Sequence, residues 1–246
     1  GDPQWVTWVY ALYAAAAFGG AWRTRLAVAT WVGSGLTLAA LVQAIVFKFA
    51  ERPDPNHIQL AMLVHASLGL VAAAFARRFG SEWRRLFADP LSLSALATSG
   101  IAVPFWLFAA PTETTSILSA YTFWLAAIWM AISFLHRLAG LFTASQLLLT
   151  LGVIFSATIT LEKGSWFADS AHPLLDPWTL QTYGIAIAVL SLAWVSVRIS
   201  FRRFGGVSLD ERRDEKWSAQ TSNPRTGWRD TAAWLLFPPW PSFDRM

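Results

Sequence analysis

Chemistry in this sequence has to come from a small set of side chains. Residues 161–178 hold two candidate acid–base carboxylates, Glu162 and Asp169, together with His172, Lys163 and two indoles, Trp166 and Trp178. Residues 51–57 add Glu51, Arg52, Asp54 and His57. A carboxylate or imidazole within hydrogen-bond reach of a bound hydroxyl is the minimum for general acid–base catalysis. Arg52, Glu162, Asp169 and His172 are therefore the candidate catalytic residues, suited to a sugar or a lipid headgroup held at a membrane surface. Their spacing matches no phosphate loop, nucleophile elbow or paired-histidine metal motif. A solvated polar loop is the plainer reading of the same residues. No metal site is expected, and with no cysteine in the chain there is neither disulfide nor thiolate chemistry.

His65 stands apart, in Val64-His65-Ala66-Ser67 within an apolar stretch. A neutral imidazole can ligate the metal of a haem or chlorophyll, and small neighbours leave room for a macrocycle. His65 is thus the one candidate cofactor-binding residue. A bis-histidine site needs a second histidine at matching depth, and His57, His136 and His172 all fall near the ends of apolar runs. Hydrogen bonding to a neighbouring helix is the preferred role, and no cofactor is expected.

The elements that must position these residues are set by where charge is missing. Seven runs of 20 to 24 residues contain no Asp, Glu, Lys or Arg: 3–22, 26–47, 55–76, 90–112, 114–136, 138–161 and 177–197. A helix needs about 20 apolar residues to cross a ~30 Å hydrocarbon core, more than a buried helix of a water-soluble domain requires. Lipid-spanning backbone must satisfy its own polar groups, so such runs are helices or barrel strands. Barrel strands would alternate apolar and polar residues, and these runs are apolar all round. Only 14% of the chain is charged and its mean hydropathy is +0.42. The expectation is an all-α integral membrane protein, a polytopic bundle of about seven transmembrane helices at roughly 5–22, 26–47, 58–76, 91–110, 117–135, 139–160 and 179–199.

Lys and Arg accumulate in short loops on the cytoplasmic side. Arg23 and Arg25, then Arg77, Arg78, Arg84 and Arg85, then His136 and Arg137, then Arg198, Arg202 and Arg203 mark alternate links as basic. The links between them are neutral or acidic. That alternation puts the N-terminus outside and the C-terminus inside. It also accounts for the net charge of +4, so no nucleic-acid partner is implied. Arginine outnumbers lysine sixteen to three among the 19 basic residues, and alanine is abundant, which suggests a GC-rich bacterial genome and the bacterial plasma membrane.

Within the runs, Gly19-Gly20, Gly33-Ser34-Gly35, Ala66-Ser67 with Gly69, and Ser92, Ser94, Thr98, Ser99 and Gly100 mark expected helix contacts, because small side chains let backbones approach. Gln43, Gln59, Gln146 and Gln181 are expected to bond between helices. Trp31, Trp106, Trp124, Trp129 and Trp194 lie deep and are expected to pack. Pro104 should bend the fourth helix. Residues 1–204 form the helical domain. Residues 205–246 form a polar tail whose Trp-rich stretch, 228–241, suits a helix in the headgroup region or the approach to a further span.

With no Asp, Glu, Lys or Arg inside the runs, ion pumping and voltage sensing are disfavoured. The expected function is a non-catalytic membrane domain: a scaffold, accessory subunit or module of a larger membrane protein. Its partners would be the lipid bilayer and other membrane subunits. The alternatives are an outer-face enzyme acting on a lipid-linked glycan or lipid headgroup, and a transporter of a neutral or lipidic solute.

Overall fold

A computed structural model describes residues 3–49, 55–109, 114–164, 167, 176–205, 232 and 236. Among them there is no strand. Among the described residues the seven long helices are α1 (Pro3–Thr24), α2 (Ala27–Phe49), α3 (Pro55–Ala76), α4 (Asp89–Ala109), α5 (Thr115–His136), α6 (Ala139–Leu161) and α7 (Pro177–Gly205). Six of these regions are long and apolar enough to cross a membrane: Ala27–Val46, Asn56–Phe79, Ser81–Leu107, Thr115–His136, Ala139–Leu161 and Pro177–Ser200. The chain is therefore a helical protein with the makings of an integral membrane protein. α1 has the length, at 22 residues, but is not among the six. Its Trp5, Trp8, Tyr10, Tyr13 and Trp22 carry polar N–H and O–H groups that favour the interface over hydrocarbon.

Each charge-free run becomes a helix because a helix closes its own N–H to C=O bonds. Two ends are sharp. Arg25 after α1 and Arg137 after α5 adopt left-handed backbone, with φ of 59° and 55°. That conformation stops a helix and turns the chain, a position usually given to glycine. In both places the residues run Arg-Leu-Ala, at 25–27 and 137–139, and the next helix starts at or just after the leucine. The two links thus share one local turn conformation.

The chain divides into two compact units, residues 1–132 and 133–246. In the first, α1 pairs with α2, α2 lies on α3, and α3 lies along α4. Two glycines set the closest approaches. A Cβ at Gly33 would stand 2.9 Å from the Phe18 ring, and one at Gly69 would stand 3.2 Å from the Leu91 carbonyl oxygen. Gly19, Gly20, Gly35 and Gly100 have nothing within 4 Å of that position. Four of the glycines expected at contacts therefore face open space, and two do the packing. Past the Phe18–Gly33 contact, α1 and α2 leave an apolar groove of about 420 Å³ between Ala11, Ala14 and Ala15 on one side and Ala40 and Ala44 on the other.

Between α3 and α4 the chain reverses through a 3-10 turn (Arg77–Phe79), Gly80 at φ 104°, a short turn (Ser81–Trp83) and a π-helical turn (Arg84–Ala88). An aromatic ladder holds this reversal: Phe75, Phe79, Trp83 and Phe87 follow one another at centroid distances of 4.9, 5.4 and 5.2 Å. The ladder ends in a core of Ala21, Ala73, Ala76, Leu86, Phe87, Ala88 and Leu91. Asp89 receives Arg77 at 3.5 Å and Arg84 at 3.7 Å, while Arg25 meets Glu82 at 3.0 Å. α4 continues helically through Pro104.

α5 is fastened to α3 and α4 by indoles. Trp124 donates its N–H to the Ser67 hydroxyl at 2.8 Å, and Trp129 donates to Ser99 at 3.1 Å. A buried indole needs one acceptor, and serines on the partner helices supply it. Trp31 departs from its expected packing role, being 42% exposed on α2.

In the second unit, α6 and α7 run antiparallel. Thr158 and Tyr183 share a hydroxyl bond of 2.8 Å near one end, and Phe142 meets Trp194 edge-on at 5.9 Å near the other. The Arg198 guanidinium donates twice to the Leu236 carbonyl, at 3.0 and 2.7 Å. Ala232 and Leu236 are helical and buried. Apart from Gly205, which ends α7, the rest of the proposed 205–246 tail lies outside the described residues.

The π-helical turn explains one further bond. The regular helical donor to the Leu86 carbonyl would be residue 90, which is a proline and has no N–H. The Thr30 hydroxyl on α2 takes that place at 2.7 Å, with Thr30 fully buried. Thr30→Val keeps the shape but leaves the carbonyl without this donor. We expect it to lower stability by about 1–3 kcal/mol, the cost of a buried unsatisfied group, while Thr30→Ser stays near wild type. Thermal unfolding of the purified variants in detergent, followed by circular dichroism, checks both.

Candidate functional site

The residue most able to do chemistry in the described core is His65, halfway along α3 and 3% exposed. Its surroundings follow from helical spacing. Thr30 and Ser34 lie four apart on α2, and Ser94 and Thr98 lie four apart on α4, so each pair occupies one helix face. α3 brings His65 between these faces because Gly69 admits the α4 backbone one turn further along.

The imidazole Nε2 lies 3.0 Å from the Ser34 hydroxyl and 3.0 Å from the Ser34 carbonyl oxygen. Nδ1 lies 3.3 Å from the Thr98 hydroxyl. Ser34 Oγ is also 2.7 Å from Ser94 Oγ. A carbonyl oxygen only accepts, so Nε2 carries the hydrogen and Nδ1 accepts from Thr98. The Thr98 hydroxyl has a second possible acceptor, the Ser94 carbonyl at 3.0 Å. One histidine, two serines and one threonine thus form a closed node joining α2, α3 and α4.

This arrangement bears directly on what His65 can do. A macrocycle metal would need the Nδ1 lone pair, which is directed at Thr98 inside the α3–α4 contact. Both nitrogens already have protein partners, and the small residues that suggested room for a macrocycle are packed: Ala66 is fully buried and Gly69 touches the Leu91 backbone. The geometry is that of a clamp between helices.

Gln59, a turn and a half before His65, behaves differently. It is 2% exposed, yet its Oε1 has no hydrogen-bond partner. The interhelical bond expected of it is absent at that atom. Gln43 and Gln146 are half-buried and Gln181 is exposed.

Of the four catalytic candidates only Glu162 is among the described residues. It is exposed at the end of α6, where its backbone N–H closes the helix on the Thr158 carbonyl at 2.8 Å. Arg52, Asp169 and His172 lie outside the described residues. His57, counted with the first outer loop, belongs to the first turn of α3. Among the described residues no group of three or more His, Cys, Asp or Glu side chains is placed to hold a metal ion.

The hydroxyl partners of His65 were individually visible in the sequence as small polar residues. Their convergence was not, because nothing in the spacing tells which face of an all-apolar helix meets its neighbour. Comparison with known proteins finds no matching family model, no matching curated protein and no matching solved structure.

Two substitutions test this reading of the core. Double-mutant cycles on hydrogen bonds between membrane helices average about 0.6 kcal/mol, so Ser34→Ala combined with Ser94→Ala should show a coupling of about that size in unfolding free energy. Gln59→Met removes a buried oxygen without a partner at similar volume. It should leave stability unchanged or raise it by about 1 kcal/mol. A large loss of stability on Gln59→Met would mean that the amide has a partner after all.

Proposed function

We propose that this chain is a non-catalytic membrane domain, a scaffold or accessory module that works through its contacts with the bilayer and with other membrane subunits. The observation that carries the reading is the use made of the intramembrane polar groups. An ionisable side chain in a membrane helix is ordinarily the first place to look for transport or catalysis. Here His65, Ser34, Ser94 and Thr98 are engaged with one another, and Trp124 and Trp129 are engaged with Ser67 and Ser99. These side chains hold helices together.

We further propose seven spans, with α1 as the first, N-terminus outside and C-terminus inside, in a bacterial plasma membrane. Residues 1–204 are the membrane domain and residues 205–246 the cytoplasmic tail. Support for α1 comes from its indoles: Trp5 and Trp8 near one end and Trp22 near the other are all more than half exposed, as in the aromatic belts of membrane-crossing helices. Support for the orientation comes from the alternation of basic links.

The native chain has no cysteine, so topology can be read by single labels. Lys163→Cys should react with a membrane-impermeant maleimide on intact cells, and Arg78→Cys only after permeabilisation. The reverse pattern would overturn the orientation. For the function, a strain lacking the native gene is complemented with the quadruple variant Arg52→Ala, Glu162→Ala, Asp169→Ala, His172→Ala. Full complementation and unchanged migration on native gels are expected. Loss of complementation by a variant that still inserts and assembles would replace the scaffold reading with that of an outer-face enzyme.

A further inference from the structure

One end of the first unit carries six arginines: Arg23 and Arg25 beside the α1–α2 turn, and Arg77, Arg78, Arg84 and Arg85 in the α3–α4 reversal. The Arg25–Glu82 ion pair of 3.0 Å ties the two links to each other. Asp89 takes up Arg77 and Arg84. Arg23, Arg78 and Arg85 are exposed and form no ion pair with any described carboxylate. The cations that pin the fold and the cations left over are thus different residues.

An apolar track leads to the surplus charge. Leu68, Val71, Phe75 and Phe79 follow one another at helical spacing through α3 and the turn after it, and they are 53%, 69%, 59% and 53% exposed. A helix face of this kind inside a membrane-crossing segment is covered by hydrocarbon. It ends beside Arg78, and the aromatic ladder continues from Phe79 to Trp83, next to Arg84 and Arg85. Polar headgroup chemistry and acyl-chain chemistry therefore meet at one place on the surface.

We propose that this surface binds an anionic phospholipid. The phosphodiester sits on Arg78 and Arg85 with Arg23 beside them, and one acyl chain lies along Leu68, Val71, Phe75 and Phe79. Guanidinium groups pair with phosphate oxygens through two parallel N–H bonds, which suits a fixed headgroup better than a diffuse charge does. The occupant is a lipid rather than a soluble phosphate because the unpaired arginines adjoin a helix face that hydrocarbon covers, and because basic groups at the ends of membrane helices meet anionic headgroups first. The proposal rests on the membrane-spanning reading of α3 and α4 and is independent of the scaffold function.

The test uses the purified full chain in detergent with equal amounts of phosphatidylglycerol and phosphatidylcholine, with retained lipid counted by native mass spectrometry. The wild type should retain phosphatidylglycerol preferentially. Each arginine near a membrane surface contributes about fivefold in affinity, so Arg23→Gln/Arg78→Gln/Arg85→Gln should weaken retention roughly a hundredfold. Lys163→Gln, which removes one charge from a different link, should leave it unchanged. Should the triple variant fail to insert, Arg85→Gln alone carries the test with its fivefold loss. Equal retention of the two lipids by the wild type would overturn the proposal. So would a triple or single variant that matches the wild type, or displacement of the lipid by millimolar inorganic phosphate. Extraction of the chain from native membranes by alkaline carbonate is a separate result: it would overturn the membrane reading itself.

Discussion

Six helices of this chain are long and apolar enough to cross a membrane, where hydrocarbon offers a polar group no water, and its polar groups are arranged to suit that shortage. A backbone N–H or C=O left unsatisfied there costs several kcal/mol. The helices answer for most of the backbone. The exceptions are where a helix is interrupted, and the clearest is the Pro90 position, where the missing N–H leaves the Leu86 carbonyl to be met by Thr30 from another helix. The same pressure acts on side chains. His65 draws Ser34 and Thr98 to it, and Trp124 and Trp129 draw Ser67 and Ser99. Without a hydrophobic driving force between helices in lipid, such bonds and close van der Waals contact are what bring helices into register.

Close contact in turn depends on a few positions where side-chain bulk is missing. Gly33 receives the Phe18 ring, and Gly69 lies against the Leu91 backbone. The second contact permits the first polar one, since His65 reaches Thr98 only if α3 and α4 lie near each other. Packing and hydrogen bonding here are one arrangement. A methyl group at Gly69 would push against backbone, which cannot swing away as a side chain can, and so would loosen the node one turn away.

Charge is handled by a different rule. It is excluded from the apolar runs and gathered at their ends, where cations also suit the negative ends of helix dipoles. In the α3–α4 reversal the arginines divide into Arg77 and Arg84, which meet Asp89, and Arg78 and Arg85, which face outward, while Glu82 meets Arg25 of the α1–α2 turn. The neutralised ones fix the turn. The others give this end of the unit its positive surface, next to exposed aromatic rings.

The sequence by itself determined the helices. The expected segments at 26–47 and 139–160 lie within a residue or two of Ala27–Phe49 and Ala139–Leu161, because a charge-free run of membrane-spanning length is a local property that no tertiary contact can override. It also marked His65 as the exceptional residue, since an ionisable group in such a run is visible without any fold. What only the tertiary structure decided is which face of each helix packs. Gly33 and Gly69 make contacts while Gly19, Gly20, Gly35 and Gly100 do not, Trp31 is exposed while Trp124 and Trp129 are bonded, and Gln59 is buried with an oxygen that meets no donor. A helix of a water-soluble protein advertises its buried face by amphipathic periodicity. These helices are apolar on every side, so the face that meets a neighbour and the face that meets lipid read alike until the chain has folded.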